Sequence, residues 1–222
     1  MTKSIAIDGP AGAGKSTIAK LVGKRIGANY LDTGAMYRAV GLYMLRCGID
    51  LEDAAQIAAH AAEARVTVKY SNGKQLTFLN GEDVSGVIRE PEVSRTASKV
   101  AAVREVRRPL AEYQQQLALS EFMILDGRDI GTAVIPDSPL KIYLTATAEE
   151  RARRRFDEMS DKSCGYAQVL EDINRRDYND MHRAESPLTK AEDAVEIDST
   201  DMTPEQVANK IAELYENGLC KA

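Results

Sequence analysis

The residues with the most specific chemistry form a glycine-rich segment near the N-terminus. Residues 9 to 17 read Gly-Pro-Ala-Gly-Ala-Gly-Lys-Ser-Thr and fit the pattern G-x-x-x-x-G-K-[ST] of a phosphate-binding loop, or P-loop. Its glycines let successive backbone N–H groups point at phosphate oxygens, and the helix that follows adds its positive N-terminal end. Lys15 supplies a charge for the outer phosphates, and the hydroxyl of Ser16 or Thr17 can hold Mg²⁺.

Two arginines that follow predicted strands are the next candidates. Arg38 comes shortly after Asp32-Thr33-Gly34, and Arg128 comes directly after Asp126-Gly127. Strand ends of this kind are where α/β sheets bind ligands, and a guanidinium group pairs with phosphate oxygens even when it is desolvated. Transfer of a γ-phosphoryl group requires charge stabilisation more than covalent chemistry, so these arginines suit a phosphate-transferring enzyme.

The region 151–183 carries seven arginines, but it also carries seven Asp and Glu residues. Ion pairs between residues four apart on a solvated helix face account for many of them. That surface interpretation is favoured for any single arginine of the run 151–155, whereas phosphate binding is favoured for Arg38 and Arg128.

Five short apolar segments predict the strands that position these residues: 4–7, 30–31, 122–125, 140–144 and 194–197. Helical patterns separate them, over about 18–27, 35–47, 52–65, 92–103, 106–120, 148–183 with an irregular break at 160–165, and 204–215. Strands that alternate with helices predict an α/β protein with a parallel sheet flanked by helices. Residues 66–70 and 75–79 depart from this scheme, because they alternate around Asn72-Gly73 and predict a β-hairpin in a small antiparallel insert.

Composition narrows the class of protein. The chain has 222 residues and a net charge of −5, so general attraction to nucleic acid or to an acidic membrane is not expected. No apolar run approaches the length of a membrane span and no secretory signal is recognisable, which predicts a soluble cytoplasmic protein. Cys47, Cys164 and Cys220 are expected to be free thiols, and the two histidines form no zinc pattern.

Two absences narrow the type of P-loop protein. The segment Asn209-Lys210-Ile211-Ala212 lacks the aspartate of the guanine-reading pattern N-K-x-D. The strand that ends at Asp126 continues with Gly127, whereas ATPase motors usually place there a glutamate that activates water. Transfer to an acceptor other than water is therefore favoured.

Three segments together resemble the bacterial cytidylate kinase family: DGPAGAGKST at 8–17, LDTGAMYR at 31–38 and DGRDIGT at 126–132. The segments 81–85, 97–101 and 176–183 resemble it as well, in the same order along the chain. The resemblance implies a P-loop NTPase fold with a five-stranded parallel sheet, a small antiparallel β insert and a short helical lid. It also implies transfer of the γ-phosphoryl group of Mg-ATP to CMP or dCMP, with Mg²⁺ as cofactor, by a cytoplasmic monomer.

The resemblance further assigns residues to roles. ATP is implied to contact Gly9, Pro10, Ala11, Gly12, Ala13, Gly14, Lys15, Ser16 and Thr17. The acceptor is implied to contact Thr33, Arg38 and Arg128 at its α-phosphate, Ser98, Arg107, Asp129 and Arg183 at cytosine, and Arg176 and Asp180 at the ribose. The implied catalytic residues are Lys15, Arg38, Arg128 and Arg154, of which Arg154 closes over the γ-phosphate. One kinase domain, 1–222, is implied, with a core at 1–65, 88–150 and 185–222, the hairpin 66–87 in the monophosphate-binding insert, and a lid region at 151–184.

Four alternatives stay open at this point. Either Ser16 or Thr17 serves Mg²⁺, either Arg107 or Arg108 reaches the base, and either Arg154 or Arg155 reaches the γ-phosphate. Asp32 and Asp126 either orient water on magnesium or accept backbone N–H groups at loop starts. Two other functions compete with cytidylate kinase: another small-acceptor P-loop kinase, such as a shikimate or different nucleotide kinase, and a non-catalytic module that senses nucleotides or binds RNA. The acidic balance of the chain argues against RNA.

Overall fold

The structure is a computed structural model that describes residues 2–159 and 164–219. The strands of the described chain are β1 (Ile5–Asp8), β2 (Asn29–Asp32), β3 (Val66–Ser71), β4 (Lys74–Leu79), β5 (Glu82–Asp83), β6 (Met123–Gly127), β7 (Lys141–Thr145) and β8 (Val195–Asp198). Its α-helices are α1 (Lys15–Ile26), α2 (Thr33–Arg46), α3 (Ala54–His60), α4 (Pro91–Val100), α5 (Arg104–Ser120), α6 (Ala148–Glu158), α7 (Tyr166–His182) and α8 (Pro204–Leu219). Residues 160–163 of the predicted break, and Cys220, lie outside the described residues.

The central sheet has the strand order β2-β6-β1-β7-β8, and all its neighbouring strands are parallel. Successive residues of β6 pack into different apolar clusters, Ile124 on one face and Leu125 on the other. Both faces of the sheet are therefore covered by helices, as a parallel sheet requires. The predicted α/β class and its five parallel strands are confirmed.

The predicted hairpin is confirmed as part of a small antiparallel sheet in the order β3-β4-β5. Its turn residues Asn72 and Gly73 have φ of 51° and 71°, the left-handed values that a tight hairpin turn requires. Strand β5 adds a short third strand that pairs with β4 beyond the predicted hairpin. Leu79 is buried in the same apolar cluster as Met36 of α2, so the insert packs directly on the core.

Two helix starts are set by aspartate caps. Asp32 accepts a hydrogen bond from Ala35 N at 2.8 Å, and α2 begins at Thr33 rather than at the predicted residue 35. Asp53 caps α3 in the same way through Ala55 N. The helix predicted over 52–65 is shorter than expected, because α3 ends at His60 and a 3₁₀ turn follows over 61–63. No helix in the described parts of the chain is long and apolar enough to cross a membrane.

Candidate active site

A cleft of about 340 Å³ opens at the carboxyl ends of β1, β2 and β6. Its walls include the P-loop, the start of α2, the segment after β6, and parts of α4, α6 and α7. The lining carries eight Lys and Arg residues against five Asp and Glu residues, although the whole chain is acidic. This local excess of positive charge suits a ligand with several phosphate groups.

Most of the residues predicted from sequence line this one cleft. They are Ala11, Gly12, Gly14, Lys15, Ser16, Thr17, Thr33, Arg38, Ser98, Arg107, Arg128, Asp129, Arg154, Arg176, Asp180 and Arg183. Gly9, Pro10 and Ala13 belong to the loop but do not line the cleft. Tyr37 lines it and was not among the predicted site residues.

The P-loop has the backbone that its glycines allow. Gly9 has a φ of 149°, and a side chain there would meet Leu144 O at 2.0 Å. Gly14 has a φ of 85° and directly precedes α1. Lys15 is buried and donates hydrogen bonds to the carbonyl oxygens of Gly9 and Pro10, both at 2.7 Å. Burial, followed by repulsion from Arg128, lowers the pKa of Lys15, so an anion in the loop would stabilise its charged form.

A hydroxyl and a carboxylate meet at the first turn of α1. Ser16 Oγ donates to Asp126 Oδ2 at 2.8 Å, and Tyr30 Oη donates to Asp126 Oδ1 at 3.0 Å. Burial raises the pKa of Asp126 to about 6, and the charge of Asp32 adds to the effect. These hard oxygen donors fit Mg²⁺, which takes one or two protein oxygens together with substrate phosphates and water. Within residues 2–159 and 164–219, no group of three or more His, Cys, Asp or Glu side chains forms a dedicated metal cage.

Asp32 and Asp126, which either orient water on magnesium or accept backbone N–H groups, have different partners. Asp32 accepts a backbone N–H from Ala35, the capping role, and its other oxygen lies 2.8 Å from Arg38 Nη2. Asp126 accepts hydroxyl groups instead, and its carboxylate has no backbone donor among the described residues.

The residues assigned to the acceptor's phosphate lie around the end of β6. Thr33 Oγ1 donates to Asp126 O at 2.6 Å, which fixes the hydroxyl beside the strand end. Arg128 Nε lies 2.7 Å from Asp180 Oδ2 and its Nη1 lies 3.2 Å from Gly127 O. Arg38 Nε is buried with no hydrogen-bond partner in the described residues. A buried unpaired donor in a cationic cleft is available to pair with an anionic ligand.

The residues assigned to the base surround one buried carboxylate. Asp129 Oδ2 forms an ion pair with Arg107 Nη2, and Asp129 Oδ1 lies 3.7 Å from Arg183 Nη2. Arg107 is also held by Ala101 O at 3.0 Å and by the ring of Tyr37, whose centroid lies 5.4 Å from its guanidinium carbon. The side chains of Asp129, Arg107 and Arg183 thus bring hydrogen-bond donors and acceptors together on one side of the cleft.

Of the alternatives Arg107 and Arg108, the structure brings Arg107 to the cleft. Arg108 is exposed and pairs with Glu112 at 3.0 Å, one turn along α5. The two arginines point in different directions from α5 because neighbouring residues of a helix do not share a face.

The ribose candidates Arg176 and Asp180 lie one helical turn apart on α7. Arg176 is half-buried and makes no hydrogen bond or ion pair with the described residues. Burial, with repulsion from Arg128, lowers its pKa. Burial acts to raise the pKa of Asp180, but the hydrogen bond from Arg128 and the combined attraction of Arg128, Arg183 and Arg176 outweigh it, and the net shift is downward. Asp180 is thus held as a carboxylate that can accept hydroxyl groups. Ser98 lies across the cleft on α4.

The arginines of α6 divide into different environments. Arg153 is exposed and pairs with Glu150 and Asp157, as the solvated-face interpretation predicts. Arg154 donates from Nη2 to Ser199 O at 2.6 Å. Arg155 is exposed at the edge of the cleft and has no hydrogen bond or ion pair with a described residue.

Arg151 contradicts the surface interpretation. It is buried, its Nη1 lies 2.5 Å from Asp177 Oδ2 of α7, and the same nitrogen donates to Ala11 O of the P-loop at 3.0 Å. Asp177 Oδ1 in turn accepts from Ala11 N at 3.2 Å. Arg151 and Asp177 therefore clamp both polar backbone groups of Ala11. No local pattern distinguishes Arg151 from its neighbours, because the clamp depends on how α6, α7 and the loop pack.

Comparison with known proteins identifies the family of the chain. The family model described as cytidylate kinase matches residues 5–217. A cytidylate kinase of Caldicellulosiruptor bescii is 52% identical over 96% of this chain and 95% of its own length. One of Caldicellulosiruptor saccharolyticus is 51% identical over the same shares. A solved gluconokinase of Sinorhizobium meliloti, 13% identical, has a TM-score of 0.51 and covers 100% of this chain and 98% of its own, which supports the fold alone. By its sequence over nearly its whole length, this chain belongs to the cytidylate kinase family.

Proposed function

We propose that the protein transfers the γ-phosphoryl group of Mg-ATP to the α-phosphate of CMP or dCMP, giving CDP or dCDP and ADP. The observation that carries the proposal is the pairing of two sites in one cleft. A P-loop occupies one side, and the buried Asp129 between Arg107 and Arg183 occupies the other. A phosphate donor and a base with both donor and acceptor edges are thus accommodated together.

Cytosine has the edge that this second site matches. Its N4 amine needs an acceptor, which Asp129 offers, and its O2 and N3 need donors, which Arg107 and Arg183 offer. Uracil presents a carbonyl oxygen in place of the amine, so it would face the Asp129 carboxylate unfavourably. We assign Ser98 to the same base, and Arg176 and Asp180 to the ribose.

The phosphate groups are assigned by charge. Gly9 through Thr17 hold the donor's phosphates, while Thr33, Arg38 and Arg128 hold the acceptor's α-phosphate. We assign Mg²⁺ to the Ser16 hydroxyl, because that hydroxyl contacts Asp126. When bound, the ion neutralises charge on the phosphate oxygens.

The protein's own part in the reaction is to position groups and to exclude water. The attacking phosphate oxygen is already ionised, so no side chain needs to remove a proton. Lys15, Arg38 and Arg128 stabilise the charge that spreads over the transferred group. We propose that the insert at 66–87 and the lid region at 151–184 close over the substrates and that Arg154, or its neighbour Arg155, then reaches the γ-phosphate.

A panel of acceptors tests the proposal. The protein is mixed with Mg-ATP and one of CMP, dCMP, UMP, AMP, GMP or shikimate, and ADP formation is measured against a sample without acceptor. Selective turnover with CMP and dCMP is expected. Selective turnover with another acceptor would reject the assigned base site, and the absence of turnover with every acceptor would reject a kinase function.

A further inference from the structure

Side chains of the antiparallel insert bond to the edge of the parallel sheet beside the acceptor side of the cleft. Strand β2 lies at the edge of that sheet, so its backbone groups that face away from β6 lack a strand partner. Two side chains of the insert bond to this edge. Tyr70 Oη donates to Tyr30 O at 3.0 Å, and Gln75 Oε1 accepts from Asp32 N at 2.7 Å. Gln75 Nε2 also donates to Asp32 O at 3.2 Å.

The geometry of the insert matches the edge of β2. Tyr70 and Gln75 face each other across the β3–β4 register, and Tyr30 and Asp32 lie two residues apart on β2. Residues two apart in a strand present their backbone groups to the same side. The amide of Gln75 therefore takes the place that a peptide group of an adjacent strand would occupy.

Asp32 connects this contact to the phosphate site. One of its carboxylate oxygens caps α2 through Ala35 N, and the other lies 2.8 Å from Arg38 Nη2. Thr33, the next residue, carries the hydroxyl assigned to the same phosphate. The amide of Gln75 thus holds the backbone of Asp32, and the side chain of Asp32 holds Arg38.

We propose that Gln75 is a positioning residue for the acceptor's phosphate, which acts by fixing the Asp32 peptide and thereby the orientation of Arg38. The inference rests on the proposed function, because that function assigns Arg38 to the acceptor. It makes the insert part of the phosphate site although Gln75 does not line the cleft. Donor binding, which uses the P-loop, is not supported by this contact.

A purely structural role is the alternative, because insert side chains that cover an edge strand also protect it from pairing with another chain. In that case Gln75 and Tyr70 would be equivalent. The positioning role makes them different, since Tyr70 bonds to Tyr30 O and, among the described residues, makes no hydrogen bond to Asp32 or Arg38. Tyr70→Phe is therefore the matched control.

The experiment measures KM for CMP and KM for ATP separately in the full chain, with thermal unfolding alongside. Loss of the two hydrogen bonds in Gln75→Ala is expected to raise KM for CMP roughly fivefold to tenfold and to leave KM for ATP unchanged. Gln75→Glu is expected to raise KM for CMP further, because a carboxylate cannot donate to Asp32 O and adds negative charge beside Asp32. Tyr70→Phe is expected to leave both KM values unchanged.

The possible failures are distinguishable. A wild-type protein that does not turn over CMP would overturn the proposed function and this inference with it. If the wild type is active, the inference alone is overturned by a Gln75→Ala protein with unchanged KM for CMP, or with both KM values raised alike. Should Gln75→Ala fail to fold, the same comparison of KM values in Gln75→Glu decides, since that variant keeps the bond to Asp32 N.

Discussion

Arg151 Nη1 and Asp177 Oδ2 lie 2.5 Å apart and join helices α6 and α7 directly beneath the P-loop. The pair holds Ala11 by its N–H and its C=O, and the Cβ of Arg151 lies 3.2 Å from the place where a side chain on Gly12 would begin. The two helices of the proposed lid region are thus bonded to the loop that we propose binds the donor. The shape of the loop is coupled to the position of α6 and α7.

Asp177→Asn is expected to weaken the donor side of the reaction. It removes the charge that pairs with Arg151, so the loop loses its support at Ala11. KM for ATP should rise about tenfold while KM for CMP stays unchanged, as measured by steady-state kinetics. Asp172→Asn is the matched control, because Asp172 lies on the same helix and pairs with the exposed Arg175. An equal rise of KM for ATP in both variants would contradict the coupling.

Arg38→Ala is expected to lower kcat for CMP by roughly 10²- to 10³-fold, by analogy with the removal of a donor to a developing anion. The physical reason is the loss of charge stabilisation at the transferred phosphoryl group. Arg108→Ala serves as the control, since Arg108 is exposed on α5 and does not line the cleft. Normal turnover by Arg38→Ala would remove this residue from the catalytic set.

Asp129→Asn is expected to lower kcat/KM for CMP by about 10²-fold and to leave KM for ATP unchanged. The amide cannot balance the charges of Arg107 and Arg183, and it offers the cytosine amine a weaker acceptor. Unfolding temperature should fall as well, because one charge of a buried group is removed. The control is Glu112→Gln, the same chemical change at the exposed partner of Arg108. A variant that keeps wild-type kcat/KM for CMP would show that the base binds elsewhere.

Asp8 is expected to make stability depend on pH. It accepts hydrogen bonds from Ile130 N at 2.8 Å and Gly131 N at 2.7 Å, yet burial dominates and raises its pKa from 3.8 to about 6. The folded state therefore holds the proton more tightly than the unfolded chain. The resulting stabilisation is fully present below pH 3.8 and is lost as pH rises through about 6.

The comparison that isolates this effect is with Asp8→Asn, which does not titrate. The free energy of unfolding of the wild type relative to the variant should fall by roughly 2 kcal/mol between about pH 4 and pH 7, from chemical denaturation at each pH. A difference that stays constant, or rises with pH, would contradict the raised pKa.

The helices, strands and turns that local sequence patterns predict are present in the structure. Apolar strands bounded by glycine, the loop at 9–17 and the Asn72-Gly73 turn each carry their own signal, and the parallel sheet and the hairpin follow from them. Boundaries are less well predicted where side chains decide them. The cap that Asp32 provides starts α2 two residues earlier than its apolar pattern indicates.

The contacts that hold the site together could not be predicted in the same way. The bonds of Gln75 to Asp32 and of Asp177 to Ala11 join residues 43 and 166 positions apart. They depend on which strand lies at the sheet edge and on how α7 packs on the loop, and neither is encoded in a local pattern. Arg151 illustrates the limit, because its neighbour Arg153 has the same residue type but lies on the solvated face.

The central claim is tested most directly by following the phosphoryl group itself. Phosphorus NMR of the protein with Mg-ATP and CMP should show the γ resonance of ATP decrease while the resonances of CDP and ADP increase in equal amounts. No CDP should form in a Lys15→Ala protein measured in parallel. Release of inorganic phosphate in place of CDP would contradict the account. So would an unchanged spectrum from wild-type protein that binds ATP under the same conditions.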